Sequence, residues 1–308
     1  MRTIGADIEA RLDWLELAGA LEAGHLLPKP RISDVLFTRG EDAMLSRHAW
    51  VDGLGILVKT ATVFPGNATR QLPSVNGAVT LFDDVTGQPR ALIDFSLVTR
   101  WKTAADSLLG ALHLARPDSR AITVIGAGVI AGMLIRAYAA AFPQARFTIW
   151  NRSPERARAL AASLAGLAPI RLADDIESAV RDADIVTAAT MSTTPLIRGA
   201  WLRPGQHVDL VGAFRPDMRE ADDEALSRAR IFVDARATTI GEIGELVIPM
   251  KKGVISEKDV IADFHDIATG GFRRTSAEEI TLFKNGGGAH LDLMTAAHIV
   301  RKAEAAQG

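Results

Sequence analysis

The segment with the clearest chemical pattern is a short apolar run followed by Gly-x-Gly-x-x-Ala, from Gly126 to Ala131. In this pattern Gly126 permits a tight turn, and Gly128 lets the backbone approach a pyrophosphate. The small Ala131 allows close helix–strand packing, with phosphates at the helix N-terminus. Apolar runs at 122–125 and 146–150 flank the motif, and together they predict a dinucleotide-binding βαβ unit. The residues expected to contact the cofactor here are Gly126, Ala127, Gly128, Val129, Ile130 and Ala131.

The residues after the second apolar run bear on which dinucleotide is bound. An NAD site usually has Asp or Glu about 20 residues beyond the glycines, where it holds the ribose 2′-hydroxyl. This chain has Asn151, Arg152 and Ser153 instead, and a guanidinium can bind a 2′-phosphate through two parallel hydrogen bonds. Ser153 and Pro154 also resemble a helix start, which is compatible with an outward-reaching arginine. The sequence therefore favours NADP(H) over NAD(H).

Three cationic side chains could serve an anionic substrate. Lys59 lies in an apolar strand pattern, Arg31 in a proline-rich loop segment, and Lys102 after Trp101 on a predicted helix. Taken singly, such a lysine usually faces solvent or extends its ammonium to water, and a loop arginine is usually solvated. If the three converge, they form a pocket for a carboxylate, and sequence alone does not show whether they do.

The elements that must position these residues fall into two groups. Before the glycine motif, the patterns predict two helices and three strands, at Asp7–His25, Leu97–Ala115, Gly55–Phe64, Ala78–Phe82 and Arg90–Ile93. Later strands alternate with helices, as in a parallel sheet covered on both faces, and lie near 122–125, 146–150, 184–188, 207–211 and 231–234. A last amphipathic helix is expected over Leu291–Ala306.

These elements predict an α/β protein of two domains. Residues 118–290 form a doubly wound, NAD(P)-binding Rossmann domain with a parallel sheet. Residues 1–117 together with 291–308 form an α+β domain for substrate binding and assembly, to which the last helix returns.

Composition limits the functional class. Lys and Arg (35) nearly balance Asp and Glu (37), so no basic stripe indicates nucleic acid. Cysteine is absent, which excludes disulfides and thiol catalysis and suits a reducing cytoplasm. No signal-peptide pattern opens the chain, and the apolar stretch 127–142 is too short to span a bilayer. The seven histidines show no metal-ligand spacing, so no metal is expected.

Several further segments occur in a specific order along the chain. They are Val58-Lys59, Leu72-Pro73-Ser74-Val75-Asn76-Gly77, Leu81-Phe82-Asp83 with Thr86-Gly87, Thr99 to Ala105 with Ser107, Gly126-Ala127-Gly128, Gly212 to Glu220, and Phe283 to Gly287. In this order the chain resembles the ornithine cyclodeaminase and mu-crystallin family over nearly its whole length.

The resemblance implies a homodimer. In the family an N-terminal domain forms a sheeted interface, and the substrate lies between that domain and a Rossmann domain. The family's cations for the substrate carboxylate would fall on Arg31, Lys59 and Lys102. Members cyclise ornithine to proline with loss of ammonia, act as alanine dehydrogenases, or reduce cyclic ketimines such as Δ1-pyrroline-2-carboxylate and Δ1-piperideine-2-carboxylate.

Two departures from the family pattern narrow this choice. Lys102 stands where arginine is usual, so the charge remains but the bidentate fork does not. Phe214 stands where the cyclodeaminases carry an aspartate that would handle the amine of ornithine. An aromatic ring cannot do this but could pack against a compact substrate ring; the alternative is core packing at a strand end. The lost carboxylate argues against cyclodeamination.

Imine reduction fits the residues that remain. A cyclic ketimine acid needs a cation for its carboxylate, a hydride donor and a proton for nitrogen, and the cofactor carries the difficult chemistry. A buried lysine beside other cations can act as the acid, with Lys59 the first choice and Lys102 the second. If the imine binds already protonated, little acid catalysis is needed.

Two other segments are expected near the cofactor. Thr190 and Met191 follow a predicted strand and should lie near the ribose. Gly287, in the run Asn285 to Gly288, either lets the backbone approach the cofactor or belongs to a flexible hinge. His290 and Asp292 are expected in the first turn of the last helix, without a chemical role.

The alternatives to a reductase of small cyclic imino acids are a cyclodeaminase, an amino-acid dehydrogenase and a crystallin-like ligand-binding protein without turnover. The three cations favour an enzyme. Ring size, pathway and the direction of the reaction in the cell are left open.

Overall fold

The computed structural model describes residues 1–306, which divide into two compact units. The first unit comprises Met1–Lys102 and the C-terminal residues from Gly288, and the second comprises Thr103–Gly287. The boundary therefore lies within a helix rather than at 117/118. The reason is that the later turns of this helix pack in the second unit, where Gly110 is so close to Phe283 that a Cβ built on the glycine would lie 2.8 Å from the ring.

The first unit, as far as the chain is described, contains a six-stranded sheet in the order β1-β6-β5-β4-β3-β2. Its pairings are antiparallel except that β1 runs parallel to β6. The strands are β1 (Arg2–Ile4), β2 (Arg31–Arg39), β3 (Asp42–Val51), β4 (Gly55–Val63), β5 (Val75–Phe82) and β6 (Pro89–Asp94).

The predicted helix over Asp7–His25 is in fact two helices. A 3-10 helix covers Ala6–Arg11, and the α-helix α1 covers Trp14–His25. The break is caused by Asp13, whose carboxylate accepts the backbone N–H groups of Leu15 and Glu16 at 2.9 and 3.0 Å and so starts a new helix. A 3-10 turn at Pro65–Arg70 precedes β5.

Helix α2 (Phe95–Leu114) crosses the boundary between the units. It begins beside Asp94, whose carboxylate accepts the N–H of Leu97 at 2.6 Å. In its first turns Trp101 stacks on Trp14 of α1, with ring centroids 3.8 Å apart. This stacking fixes the turn of α2 that carries Lys102.

The described part of the second unit contains an eight-stranded sheet in the order β13-β12-β14-β11-β10-β7-β8-β9, with every pairing parallel. Its strands are β7 (Ala121–Ile125), β8 (Arg146–Trp150), β9 (Ile170–Leu172), β10 (Ile185–Ala188), β11 (His207–Leu210), β12 (Arg230–Val233), β13 (Val260–Ala262) and β14 (Thr281–Lys284). The predicted parallel, Rossmann-type sheet is confirmed.

The helices of the second unit are α3 (Val129–Ala141), α4 (Pro154–Ser163), α5 (Ile176–Arg181), α6 (Asp223–Arg228), α7 (Arg236–Thr239) and α8 (Gly244–Lys251). Shorter 3-10 turns lie at Gly199–Trp201, Glu257–Asp259 and Phe264–Asp266. The core is aliphatic along β7, β10, β11 and β12, whose apolar side chains are almost entirely buried.

The final helix, α9 (Ala289–Ala305), belongs to the first unit and packs against α1 and the sheet. It is buried on every side from Ala289 to Val300. A helix of this kind has no solvent-facing stripe, so each polar side chain in this stretch must be accommodated inside the protein.

Candidate active site

Lys59 is on the buried face of its strand, contrary to the usual behaviour of a strand lysine. In β4 it points the same way as Leu57, two residues earlier, and only 6% of it is exposed. Its Nζ donates to Oδ1 of Asp292 at 2.8 Å and lies 4.9 Å from the centroid of the Phe95 ring. The lysine is thus held from two sides beneath α9.

Lys102 lies close enough to act on the same ion pair. It is 6% exposed, and its charge is among those that act on both Lys59 and Asp292. The structure therefore brings together two of the three predicted cations, one from a strand and one from a helix.

Asp292 and Arg47 complete this cluster, and neither was predicted from the sequence to have a role. Asp292 lies in the first turn of α9, as expected, but it is fully buried. Arg47 on β3 is directly opposite Lys59 in the sheet and donates to Asp34 at 2.8 Å. One sequence signal could have identified Asp292: it is a carboxylate in a helix segment that is otherwise too apolar to face water. Because a buried charge needs a partner, such a residue is expected to pair with a cation.

Arg31 is placed differently from the other two cations. It opens strand β2 instead of lying in a loop, and its side chain is 72% exposed. Its partners are Asp52, at 3.8 Å, and the ring of Trp50, at 5.7 Å. In the sheet it is paired with Trp50, three positions along β3 from Arg47, so its guanidinium does not join the Lys59 cluster.

The cations of the cluster outnumber its carboxylates, since Lys59, Lys102 and Arg47 face Asp292 and the Asp34 that pairs with Arg47. Burial lowers the pKa of Lys59, helped by Lys102 and Arg47, while Asp292 opposes the change. Burial acts to raise the pKa of Asp292, but Lys59, Lys102 and Arg47 outweigh it and hold that pKa below its usual value. Three cations and two carboxylates leave one positive charge, which suits an additional anion.

In the second unit, the glycine motif has the geometry of a phosphate-binding turn. Gly126 has φ +121°, and a Cβ there would lie 2.7 Å from the carbonyl oxygen of Ala189. Gly128 precedes α3 without a side-chain cap, and open space surrounds its Cβ position. Ala131 is fully buried. The first N–H groups of α3 are therefore available to a phosphate, and these residues fit a dinucleotide.

The residues after β8 leave a guanidinium at the predicted position. Arg152 is exposed, while the side-chain amide of Asn151 donates to the carbonyl of Ser153 at 2.9 Å. Ser153 precedes α4, with Pro154 as the first helical residue, but its hydroxyl donates to Glu155 and does not cap the helix. No Asp or Glu occupies the end of β8, where an NAD site would have one.

Buried carboxylates organise the loops at the carboxyl edge of the parallel sheet. Glu220 accepts the N–H and hydroxyl of Thr190, both at 2.7 Å, and the N–H of Gly212, also at 2.7 Å. Burial, with repulsion from Glu245, raises the pKa of Glu220 to about 8. This carboxylate ties the loop after β10 to the loop after β11, and Met191 in the former is 66% exposed.

The loop after β14 is held in the same way. Asp234 accepts the N–H groups of Gly286 and Gly287, and Asn285 donates to Ser107 at 3.0 Å. A Cβ on Gly286 would lie 2.3 Å from Oγ1 of Thr239. These contacts describe a fixed, closely packed loop and do not favour a flexible hinge.

Phe214 is not packed in the core, so that alternative is wrong. The residue is 56% exposed, and Arg215 lies over its ring at 5.8 Å. Its role toward a substrate ring stays a prediction. Within residues 1–306, no three His, Asp or Glu side chains are grouped to hold a metal ion, and no helix has the length and hydrophobicity needed to cross a membrane.

Comparison with known proteins gives consistent matches over the whole chain. Residues 35–307 match the model of the ornithine cyclodeaminase/mu-crystallin family. A Δ1-pyrroline-2-carboxylate reductase of Paracoccus denitrificans is 51% identical over 298 residues, which are 96% of this chain and 94% of that protein.

Solved structures also match the chain over its full length. That of Thermococcus litoralis Δ1-pyrroline-2-carboxylate reductase with NADH and L-proline superposes with a TM-score of 0.92 at 28% identity, covering 100% of this chain and 98% of the other. An archaeal alanine dehydrogenase dimer with bound NAD has a TM-score of 0.90 at 25% identity, covering 100% and 97%.

Proposed function

The chain belongs to the ornithine cyclodeaminase/mu-crystallin family, and from that premise we propose that it reduces a cyclic ketimine acid to the corresponding cyclic amino acid. The substrate is Δ1-pyrroline-2-carboxylate, its six-membered homologue Δ1-piperideine-2-carboxylate, or both. The products are L-proline and L-pipecolate, and the reductant is NAD(P)H.

The observation that carries this proposal is the cluster around Asp292, formed by the buried Lys59 and Lys102 and the half-buried Arg47. Its excess positive charge accounts for the carboxylate of the substrate. Buried charge-assisted hydrogen bonds of this kind contribute roughly 1.5–3 kcal/mol each. No metal is needed, because the imine is already an electrophile and protonation makes it a stronger one.

The reaction requires a hydride at the imine carbon and a proton at the ring nitrogen. The reduced nicotinamide, when bound, supplies the hydride with its two electrons to that carbon. Lys59 supplies the proton: its Nζ–H bond breaks, an N–H bond forms on the ring, and the C=N double bond becomes single. The neutral lysine then regains a proton from water. Burial lowers the pKa of Lys59, which makes it a better proton donor than an exposed lysine.

The chain's own residues also define how the cofactor is held. Gly126 to Ala131 and the N-terminus of α3 receive the pyrophosphate. Thr190, Met191 and Gly287 are proposed to lie along the ribose and nicotinamide side, and Arg152 to bind the 2′-phosphate of NADP(H). Preference for NADP(H) over NAD(H) is thus part of the proposal, and it rests on the guanidinium after β8.

We further propose a homodimer in the cytoplasm, assembled through the first unit. Strand β2 is at the edge of the sheet, and three consecutive apolar side chains on it are exposed: Val35 (37%), Leu36 (63%) and Phe37 (60%). An apolar edge of this length normally needs cover, which a second copy would provide. The dimeric relative supports this assembly.

The test is the loss of NADPH absorbance on addition of each cyclic ketimine acid, with the products identified by chiral chromatography. We expect L-proline or L-pipecolate to form, and no comparable release of ammonia from L-ornithine with NAD, because Phe214 replaces the carboxylate that cyclodeamination needs. Efficient proline formation from ornithine would identify a cyclodeaminase. Tight NADPH binding without any turnover would identify a crystallin-like binding protein.

A further inference from the structure

We propose that Asp292 is a positioning residue for the reductase: its carboxylate keeps the Lys59 ammonium charged and fixes its direction, so that Nζ delivers its proton to the ring nitrogen. The inference rests on the proposed function and deepens it. It gives a task to a buried charge that neither the glycine motif nor substrate anion binding requires.

The contact geometry supports this task. Oδ1 of Asp292 accepts from Nζ at 2.8 Å, and both residues are buried, with side-chain exposures of 0% and 7%. Within the described residues, Oδ2 of Asp292 has no hydrogen-bond partner. The carboxylate is enclosed in the protein, and Nζ of Lys59 is the hydrogen-bond donor that its Oδ1 contacts.

The surrounding charges explain why a carboxylate is needed. Lys59 is surrounded by Lys102 on α2 and Arg47 on β3, both of which disfavour its protonated form, as burial does. Asp292 is the anion that opposes these effects on Lys59. Other titratable side chains on the elements that pack against α9 include some with partners of their own. Asp34 on β2 pairs with Arg47 at 2.8 Å, His48 on β3 bonds Ser46, Glu16 bonds Lys302, and His25 lies against His290. Without Asp292, Lys59 would lose its proton at a lower pH.

The position of the pair in the fold also favours a positioning role. Lys59 is in a central strand, and Asp292 is in the first turn of a helix buried on every side, so neither backbone moves freely. The side chain of Lys59 has a flexible four-carbon stem. The Asp292 carboxylate and the Phe95 ring together restrict where its Nζ lies. Restricting a reacting group in this way favours productive encounters.

The experiment compares Asp292→Asn with wild type through the pH dependence of kcat/KM for the cyclic ketimine acid. Activity falls at high pH as Lys59 loses its proton. Asp292→Asn should move this falling limb to lower pH by about 1–3 units, because an opposite charge at this distance is removed. At pH values below this limb, where Lys59 keeps its proton, the KM for the anionic substrate should not rise, because removing the carboxylate makes the site more positive. Any loss of activity there appears in kcat.

Thr295→Val is the matched control, because Thr295 is fully buried one turn further along α9 and, within residues 1–306, its hydroxyl makes no hydrogen bond. It should leave the pH limb in place. Asp292→Glu keeps the charge but displaces it, so the limb should stay while kcat falls by between about 10- and 100-fold. An Asp292→Asn enzyme with an unmoved limb and a raised KM would overturn the inference. So would Asp292→Glu with wild-type turnover, even if Asp292→Asn fails to fold.

Binding of pyrrole-2-carboxylate, a planar ring carboxylate, measured by calorimetry across pH separates the two proposals. Its affinity should fall as Lys59 loses its proton, and Asp292→Asn should shift this fall to lower pH. If that shift occurs in a protein that reduces no ketimine, the proposed function is wrong and the role of Asp292 in keeping Lys59 charged stands. If the wild type reduces ketimines and neither assay shows a shift, the Asp292 inference is wrong.

Discussion

At the scale of residues, the three cations predicted from the sequence differ in how deeply they are buried. Lys59 and Lys102 are each 6% exposed, whereas the side chain of Arg31 is 72% exposed and lies near Asp52. Charge-assisted contacts are strong where water is excluded and weak where it is not. The three positions are therefore unequal, although their residue types are similar.

This inequality gives a ranking of substitutions. Lys59→Met should lower kcat/KM most, because it removes both an anion contact and the proton donor, and Lys102→Met should cost roughly 10- to 100-fold. Arg31→Gln should cost less than about fivefold, as expected of an exposed pair. Steady-state kinetics would measure this, with NADPH affinity as the control. Lys102→Arg, which restores the usual family residue, should be mild. Full activity in Lys59→Met would contradict the assigned role.

The guanidinium after β8 gives a second prediction at this scale. Arg152→Asp should lower affinity for NADPH at least about tenfold, because it replaces a cation with a carboxylate that repels the 2′-phosphate. Affinity for NADH should change little or improve. Fluorescence titration with each cofactor would measure both values.

Arg146→Asp provides the matched control, since Arg146 is an exposed arginine at the opposite end of the same strand. It makes the same change in net charge far from the carboxyl edge of the sheet. Equal affinities for the two cofactors in the wild type would contradict an NADP(H) preference.

At the scale of elements, the turn between β7 and α3 depends on backbone shape. Gly126 combines φ +121° with a neighbouring carbonyl that leaves no room for a Cβ. The open N-terminus of α3 follows directly, so any shift of the turn also moves the N–H groups that receive phosphate. Stability and cofactor affinity are therefore coupled at this position.

Gly126→Ala should lower the free energy of unfolding by about 1–3 kcal/mol and weaken NADPH binding at the same time. Gly166→Ala is the control, because Gly166 also has a positive φ (+88°) but no neighbouring atom within 4 Å of its Cβ position. It should show backbone strain alone, with normal cofactor affinity. Thermal unfolding and NADPH titration would distinguish these outcomes, and normal cofactor affinity in Gly126→Ala would count against the proposed pyrophosphate site.

At the scale of the whole molecule, the first unit leaves an apolar edge that a single chain does not cover. Phe37→Glu on β2 should convert the proposed dimer to monomers, because it introduces a charge into a buried contact. Light scattering coupled to gel filtration would give the mass. Val85→Glu is the control, since Val85 is 91% exposed in the turn between β5 and β6. A wild-type protein that runs as a monomer would rule out this assembly.

Much of the fold was predictable because local patterns report local structure. The glycine motif, strand β8 and the helix preceding the motif were predicted to within about two residues, and the family and the Rossmann-type sheet are confirmed. Strands β2 and β3 were missed, because charged residues interrupt their apolar pattern and pairing with each other stabilises them. Strand β14 was missed because its four residues are defined by β11 and β12, which flank it.

The sequence by itself determined which functional groups are present: a phosphate-binding turn, a guanidinium in place of an acid, and lysines in apolar surroundings. These features depend on residue type and short spacing. Only the tertiary structure decided which charges meet. Lys59 and Asp292 are 233 positions apart, and nothing local records that a strand and the last helix bring them within 2.8 Å. Contacts between distant segments depend on how buried faces pack, so Asp292 and Arg47 became visible only in the folded chain.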